Sequence, residues 1–241
     1  PNALAGPMLP LRDDNPTERP PIVTIAIIAV CAVVFGYQFT LPDKPGEAFA
    51  FQYGAIPAVI FSHAALPHDI VSIPATLTLI TSMFLHGGWM HLLGNMLYLW
   101  IFGNNIEDAM GHLKFAVFYV LCGVLAALSH AFTDPSSQIP MVGASGAISA
   151  ILGAYLLLYP RARVLVLIPP PFFGTTSVPA VIVLGLWFFG QLYSGGLSLG
   201  SHGGGIAFFA HIGGFVAGMA LVGIFKRRDM PFFAPEHSRR Y

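Results

Sequence analysis

Six apolar runs set the rhythm of the chain, at residues 22–39, 88–106, 115–132, 142–159, 178–194 and 204–225. Each comes close to the roughly 20 residues needed to cross about 30 Å of hydrocarbon. Lipid cannot satisfy open backbone groups, so each run is predicted to be a helix. Residues 41–85 break the rhythm. This stretch is too long for a simple connection, carries five prolines and is semi-apolar (Phe49-Ala50-Phe51, Val59-Ile60-Phe61). It reads as a structured loop lying in the membrane interface. The expected fold class is therefore all-α, a polytopic membrane protein built as a six-transmembrane-helix bundle with a long interfacial first loop.

Composition agrees with this. Of 241 residues, 55% are hydrophobic and 9% charged, against roughly 25% charged in a soluble domain. Net charge is zero, so no global field argues for nucleic acid as a partner. Cys31 and Cys122 both sit in apolar runs and read as small buried hydrophobes. The run at 22–39 is too long for a signal-peptide core and is read as a first membrane helix.

Charge distribution orients the bundle. With the N-terminus in the cytoplasm, the inner side holds Arg12, Arg19, Lys114, Arg161, Arg163, Lys226, Arg227, Arg228, Arg239 and Arg240, and the outer side only Lys44. This is the positive-inside pattern, and it requires an even number of spans. The expected organisation is a polar cytoplasmic tail (1–21), a membrane domain (22–225) and a basic cytoplasmic tail (226–241).

Few polar side chains interrupt the runs, and those kept inside a bilayer are functional by default. Ser145 lies about 5 Å into the fourth span and His211 about 10 Å into the sixth. Both spans run inward from the outer face. The second span also runs inward and carries His91 and Asn95, at i and i+4 on one helical face. Four polar groups from three helices thus share one level in the outer half of the membrane.

The chemistry available at that level is specific. A serine needs a base to become a nucleophile, and histidine is the side chain poised to take its proton near neutral pH. Ser145 at a helix start also has a first-turn amide without an intrahelical acceptor, suited to a developing oxyanion. His91 and Asn95 can both donate hydrogen bonds there. No carboxylate shares the level; Glu107 and Asp108 lie past the inner end of the second span. The expectation is a Ser–His dyad, not a triad. A bland alternative exists for each residue: Ser145 as a small packing residue, His211 as a helix histidine bonded to a neighbour, His91 and Asn95 as a polar pair bridging helices. Their common depth argues against it. Gly214-x-x-x-Gly218, with Gly146, Ala150 and Gly153 on a comparable stripe of the fourth span, would let two helices approach closely enough to join serine and histidine.

These residues carry a resemblance. The blocks His86-x4-His91-Leu92-x2-Asn95-Met96, Gly143-Ala144-Ser145-Gly146 and Ala210-His211-x2-Gly214-x3-Gly218 resemble the three signature blocks of the rhomboid intramembrane serine proteases, in the same order and orientation. The likeness extends over about residues 51–225. It implies a rhomboid-like six-helix core, a cavity open to the outer face, and cleavage of transmembrane protein substrates near their outer ends. Ser145 would be the nucleophile and His211 the general base, with Asn95, His91 and the Ser145 amide stabilising the oxyanion. His86, Gly143, Gly146, Gly214 and Gly218 would be structural. Trp187 and Phe188 resemble residues of a lateral substrate gate, and the glycine-rich stretch 195–205 resembles a flexible cap over the site. No cofactor or metal is implied. The compact form suggests a bacterial plasma membrane.

The chain departs from the family twice. Where well-studied members have an aromatic residue one turn after the serine, packed under the histidine, this chain has Ser149. The long first loop lacks the Trp-Arg pair of some members.

Two rival readings stand beside this one. A non-catalytic rhomboid-like protein would bind membrane clients without cutting them, although such homologues usually lose the serine or the histidine. A metal transporter could use outer-side histidines (His63, His68, His130, His202), but no cluster with metal-ligand spacing is visible. Neither His-Glu-x-x-His nor paired intramembrane aspartates are present.

Overall fold

The computed structural model describes residues 9–70, 73–168, 174–198 and 208–234. Its helices are α1 (Ile22–Thr40), α2 (Asp43–Tyr53), α3 (Pro57–Ile60), α4 (Ala75–Thr81), α5 (Trp89–Tyr98), α6 (Asn104–Met110), α7 (His112–Ala131), α8 (Ser145–Leu158), α9 (Ala180–Ser198) and α10 (Phe208–Phe225). A 3₁₀ turn, Ser82–Phe84, follows α4, and a π-helical turn, Leu99–Gly103, joins α5 to α6. Among the described residues four helices are long and apolar enough to cross a membrane: α1, α7, α9 and α10. They coincide with four of the six expected runs, and the protein is an integral membrane protein. Large apolar side chains such as Val33, Phe189 and Ile224 are exposed on the outside of the bundle, as contact with lipid requires.

The other two runs differ from a plain span. Residues 89–110 form one helical stretch carrying the π-helical turn in its middle. α8 has only 14 residues, about 21 Å of helix, and begins at Ser145, three residues later than expected. The delay has a local cause. Met141 pairs with Ala55 through backbone hydrogen bonds of 2.8 and 3.0 Å, and the Gly143 amide donates to the Ser82 carbonyl at 2.8 Å. Residues leading into α8 are therefore held by the first loop. α8 is the central helix: Gly146 through Tyr155 are all buried, and it packs most extensively against α10 and α7.

Small residues set those distances. A Cβ added to Gly214 would collide with the Gly146 carbonyl oxygen, one at Gly218 with the Ala150 carbonyl oxygen, and one at Gly153 with the Phe215 carbonyl oxygen. α8 and α10 thus approach backbone to backbone, the packing expected of the two small-residue stripes.

The all-α expectation needs correction. Three strands, β1 (Leu9–Asp13), β2 (Arg163–Ile168) and β3 (Gly174–Pro179), form an antiparallel sheet in the order β1-β2-β3. The fifth run therefore does not begin as helix: Val178 pairs with Val164, and α9 starts at Ala180. Thr175, Thr176 and Val178 favour strand, and the residue before Pro179 is biased to extended backbone. Pro179 is tolerated because β3 is an edge strand. Part of the 1–21 stretch is likewise ordered as β1. Asp13 tucks beneath the bundle, where it accepts hydrogen bonds from Tyr155 of α8 (2.5 Å) and the side-chain amide of Asn105 in α6 (2.8 Å).

α1 is capped by another helix. Its N-terminus follows Pro21 and has no side-chain cap of its own. Glu107, 1% exposed, instead accepts from the amides of Val23 and Thr24 and from the Thr24 hydroxyl, at 2.7–2.8 Å. The same carboxylate also meets His112 Nδ1, 2.6 Å away. A carboxylate here satisfies first-turn amides and complements the positive end of the helix dipole.

The expected cap at 195–205 is helical where it begins, since α9 runs on to Ser198. Residues 199–205 lie outside the described residues, as do residues 204–207 at the start of the expected sixth span.

Candidate active site

Ser145 opens α8 and His211 lies in the first turn of α10. The close approach of Gly214 to Gly146 fixes their relation, because each polar residue sits within one turn of that contact. Ser145 Oγ is 2.8 Å from His211 Nε2. His211 is 3% exposed.

The other imidazole nitrogen has a partner that sequence reasoning did not single out. His211 Nδ1 is 2.7 Å from Oε1 of Gln191, a buried side chain of α9. An amide oxygen can only accept, so Nδ1 carries the hydrogen and Nε2 presents its lone pair to the Ser145 hydroxyl. The signal was present in the chain. Gln191 is a carboxamide inside an apolar run, one turn after Trp187, and such a residue is costly to keep in a membrane.

His91 and Asn95 of α5 flank the approach to Ser145. A Cβ built on Gly143 would lie 2.7 Å from His91 Nε2 and 3.7 Å from Asn95 Nδ2, so both side chains border the segment just before the serine. The Gly87 amide donates to His91 Nδ1 at 3.3 Å, which leaves His91 Nε2 as the protonated, donating nitrogen on the Gly143 side. Asn95 is 1% exposed and its amide has no hydrogen-bond partner among the described residues. A buried amide without a partner is rare in a native fold and calls for an explanation. Gly143 itself has φ +127°, a conformation side chains rarely adopt.

The remaining candidates fall around this centre. His86 is buried with its ring edge-to-face against His91, centroids 5.2 Å apart. Trp187 and Phe188 both face α10: the Trp187 ring is 5.9 Å from that of His211, and Phe188 stacks on Phe215 at 4.5 Å. Ser149 turns its hydroxyl back to the Ser145 carbonyl at 2.6 Å. A cavity of about 40 Å³ adjoins Ser145, lined among others by Met83, Gly123, Ala127, Ala147 and Ala210. Among the described residues no three His, Cys, Asp or Glu side chains gather as a metal site would need.

Fold and site together define a class, a helical integral membrane protein with a half-buried serine hydrogen-bonded to a buried histidine. Within that class the chain belongs to the rhomboid family, whose Rhomboid domain model matches residues 74–228. Similar proteins include RHOMBOID-like protein 5 of Arabidopsis thaliana, 38% identical over 78 residues, covering 32% of this chain and 25% of that protein. The putative rhomboid protease YdcA of Bacillus subtilis is 31% identical over 118 residues, covering 43% of this chain and 59% of its own. Rhomboid protease GluP of the same organism is 34% identical over 145 residues, with 59% and 25% covered. The matched regions thus span from a quarter to about three-fifths of these relatives' length.

Proposed function

We propose that this protein is an intramembrane serine endopeptidase that cleaves transmembrane segments of other membrane proteins near their outer ends. The observation that carries the reading is the 2.8 Å hydrogen bond between Ser145 Oγ and His211 Nε2 inside an apolar bundle. Ser145 would pass its proton to His211 Nε2 as Oγ attacks the peptide carbonyl. The oxyanion would receive hydrogen bonds from the Ser145 amide, Asn95 Nδ2 and His91 Nε2–H. His211 would then give its proton to the leaving amine, and a water molecule would repeat the sequence on the acyl-enzyme. Among the relatives, two from Bacillus subtilis bear protease names, which favours catalysis over client binding alone.

The membrane arrangement belongs to the same proposal. Six spans would be α1, residues 89–110, α7, α8, α9 and α10, with both ends of the chain in the cytoplasm and residues 22–225 as the membrane domain. The ten-to-one distribution of Lys and Arg supports this orientation. The setting would be a bacterial plasma membrane. Trp187 and Phe188 would border the route by which a substrate helix enters.

Labelling by a fluorophosphonate probe, paired with cleavage of a transmembrane substrate in proteoliposomes, tests the reading. Wild type should label and cut; Ser145→Ala should do neither, and His211→Ala should lose cleavage while still folding. Labelling that survives in Ser145→Ala would sink the assignment. Client binding without cleavage by the wild type would favour a non-catalytic member.

A further inference from the structure

To act as a base, His211 must be held in one tautomer and one orientation. A lone imidazole has two tautomers, and only the one protonated on Nδ1 can accept the serine proton at Nε2. In serine hydrolases with a triad, a carboxylate opposite Nδ1 settles this. Among the described residues the titratable groups that act on His211 are His91 from α5 and His130 from α7, and no carboxylate is among them. The family's aromatic support is also replaced, since Ser149 carries no ring and bonds back to its own helix.

Both supports come from α9 instead. Trp187 and Gln191 are i and i+4, hence on one face of the helix. The Trp187 ring rests beside the imidazole at 5.9 Å, and Gln191 Oε1 accepts from His211 Nδ1 at 2.7 Å. Gln191 is 4% exposed, so water competes little for that bond. We infer that Gln191 is a positioning residue for the proposed protease chemistry, a neutral third member that fixes the His211 tautomer through its side-chain oxygen. This rests on the Ser145–His211 reading.

A neutral acceptor does part of what a carboxylate does. It selects the tautomer and ring angle, but contributes no full negative charge to stabilise the imidazolium that forms when the serine proton arrives. The arrangement also ties catalysis to α9. Any movement of that helix away from α10 would withdraw the acceptor and the indole together, leaving the histidine unsupported.

The test compares two near-isosteric variants in the full-length protein in proteoliposomes. Gln191→Met keeps the volume and removes the acceptor; Gln191→Glu keeps an acceptor and adds charge. Gln191→Met should cut kcat about 10–100-fold, the scale seen when the partner orienting a metal-bound histidine is lost, with KM and the thermal midpoint unchanged. Gln191→Glu should retain activity, with the acid limb of its pH–rate profile moved to higher pH, because a carboxylate favours the imidazolium. Full activity in Gln191→Met, a raised KM at unchanged kcat, or an Glu variant as inactive as the Met variant while still folded would each overturn the inference.

A second readout does not depend on catalysis. Nitrogen-15 NMR of His211 in Ser145→Ala should report the Nδ1-protonated tautomer, and a mixture once Gln191→Met is added. A wild-type-like tautomer in both, or Nε2 protonation in the first, would overturn the role of Gln191. Failure of the wild type to label with a fluorophosphonate would instead count against the dyad, so the two failures are distinguishable.

Discussion

Gly214 of α10 lies against the carbonyl oxygen of Gly146 in α8, with no room between them for even a methyl group. Ser145 precedes that carbonyl by one residue and His211 precedes Gly214 by three, so one backbone contact sets the 2.8 Å distance of the pair. Gly214→Ala must push the helices apart or distort the carbonyl, at a cost of about 1–3 kcal/mol for overpacking. Its thermal midpoint should fall, and cleavage should fall further than the midpoint alone explains, because the separation acts directly on Ser145 and His211. Unfolding scans in detergent alongside cleavage rates at a temperature where both proteins are folded check this. Equal rates would break the link.

Asn95 and His91 provide a separate test of the proposed oxyanion site. Removing one donor typically costs about 10²–10³ in rate. Asn95→Ala should lower kcat on that scale with little change in fluorophosphonate-independent properties such as folding, since its amide bonds no described protein group. Gly143→Ala should lower kcat as well, through strain at φ +127° and a collision with the His91 ring. A kcat within twofold of wild type for Asn95→Ala would remove it from the site.

Asp13 predicts a pH dependence at the opposite end of α8. Burial pushes its carboxyl up from 3.8 to about 6, despite the hydrogen bond donated by Tyr155. Between about pH 4 and 6 the folded protein therefore binds a proton that the unfolded chain has released. Stability contributed here falls as pH rises through that window and stays low above it. Asp13→Asn keeps an acceptor for Tyr155 and removes the titration. It should be the more stable protein at pH 7, with a flatter stability curve between pH 4 and 6 than wild type. Thermal midpoints across that range measure the difference; parallel curves would exclude Asp13 as the source.

Glu107 is expected to be structural. Glu107→Ala orphans the Val23 and Thr24 amides, at about 1–3 kcal/mol for each buried donor left unsatisfied. The thermal midpoint should drop, while kcat measured below the transition should stay near wild type, since the carboxylate bonds to Val23, Thr24 and His112 and not to Ser145 or His211. A selective loss of kcat would contradict this.

Much of this was legible in the chain, and the reasons differ by element. α1, α7, α9 and α10 follow from uninterrupted apolar length, a local property that lipid enforces on the backbone. The residues Ser145, His211, His91 and Asn95 were visible because polar groups in such runs are conspicuous. The α8–α10 contact followed from two glycine stripes of matching period. Other features were hidden by pairing over distance. β1 and β2 are about 150 residues apart in sequence, a separation at which alternation in five or six residues says nothing of a partner. The shortening of α8 depends on Ala55 and Ser82 holding residues 141 and 143, and the cap of α1 comes from Glu107.

The division has one physical source. Hydrophobic length, helix period and the cost of burying polar groups are properties of short segments, so the sequence by itself determined a helical membrane bundle and the residues expected to carry its chemistry. Hydrogen-bond partners are properties of two segments brought together. Only the tertiary structure decided that Gln191 faces His211 Nδ1, that Trp187 lies beside the same ring, and that Ser149 turns away. Those contacts depend on how α9 sits against α10, which no single run of residues encodes.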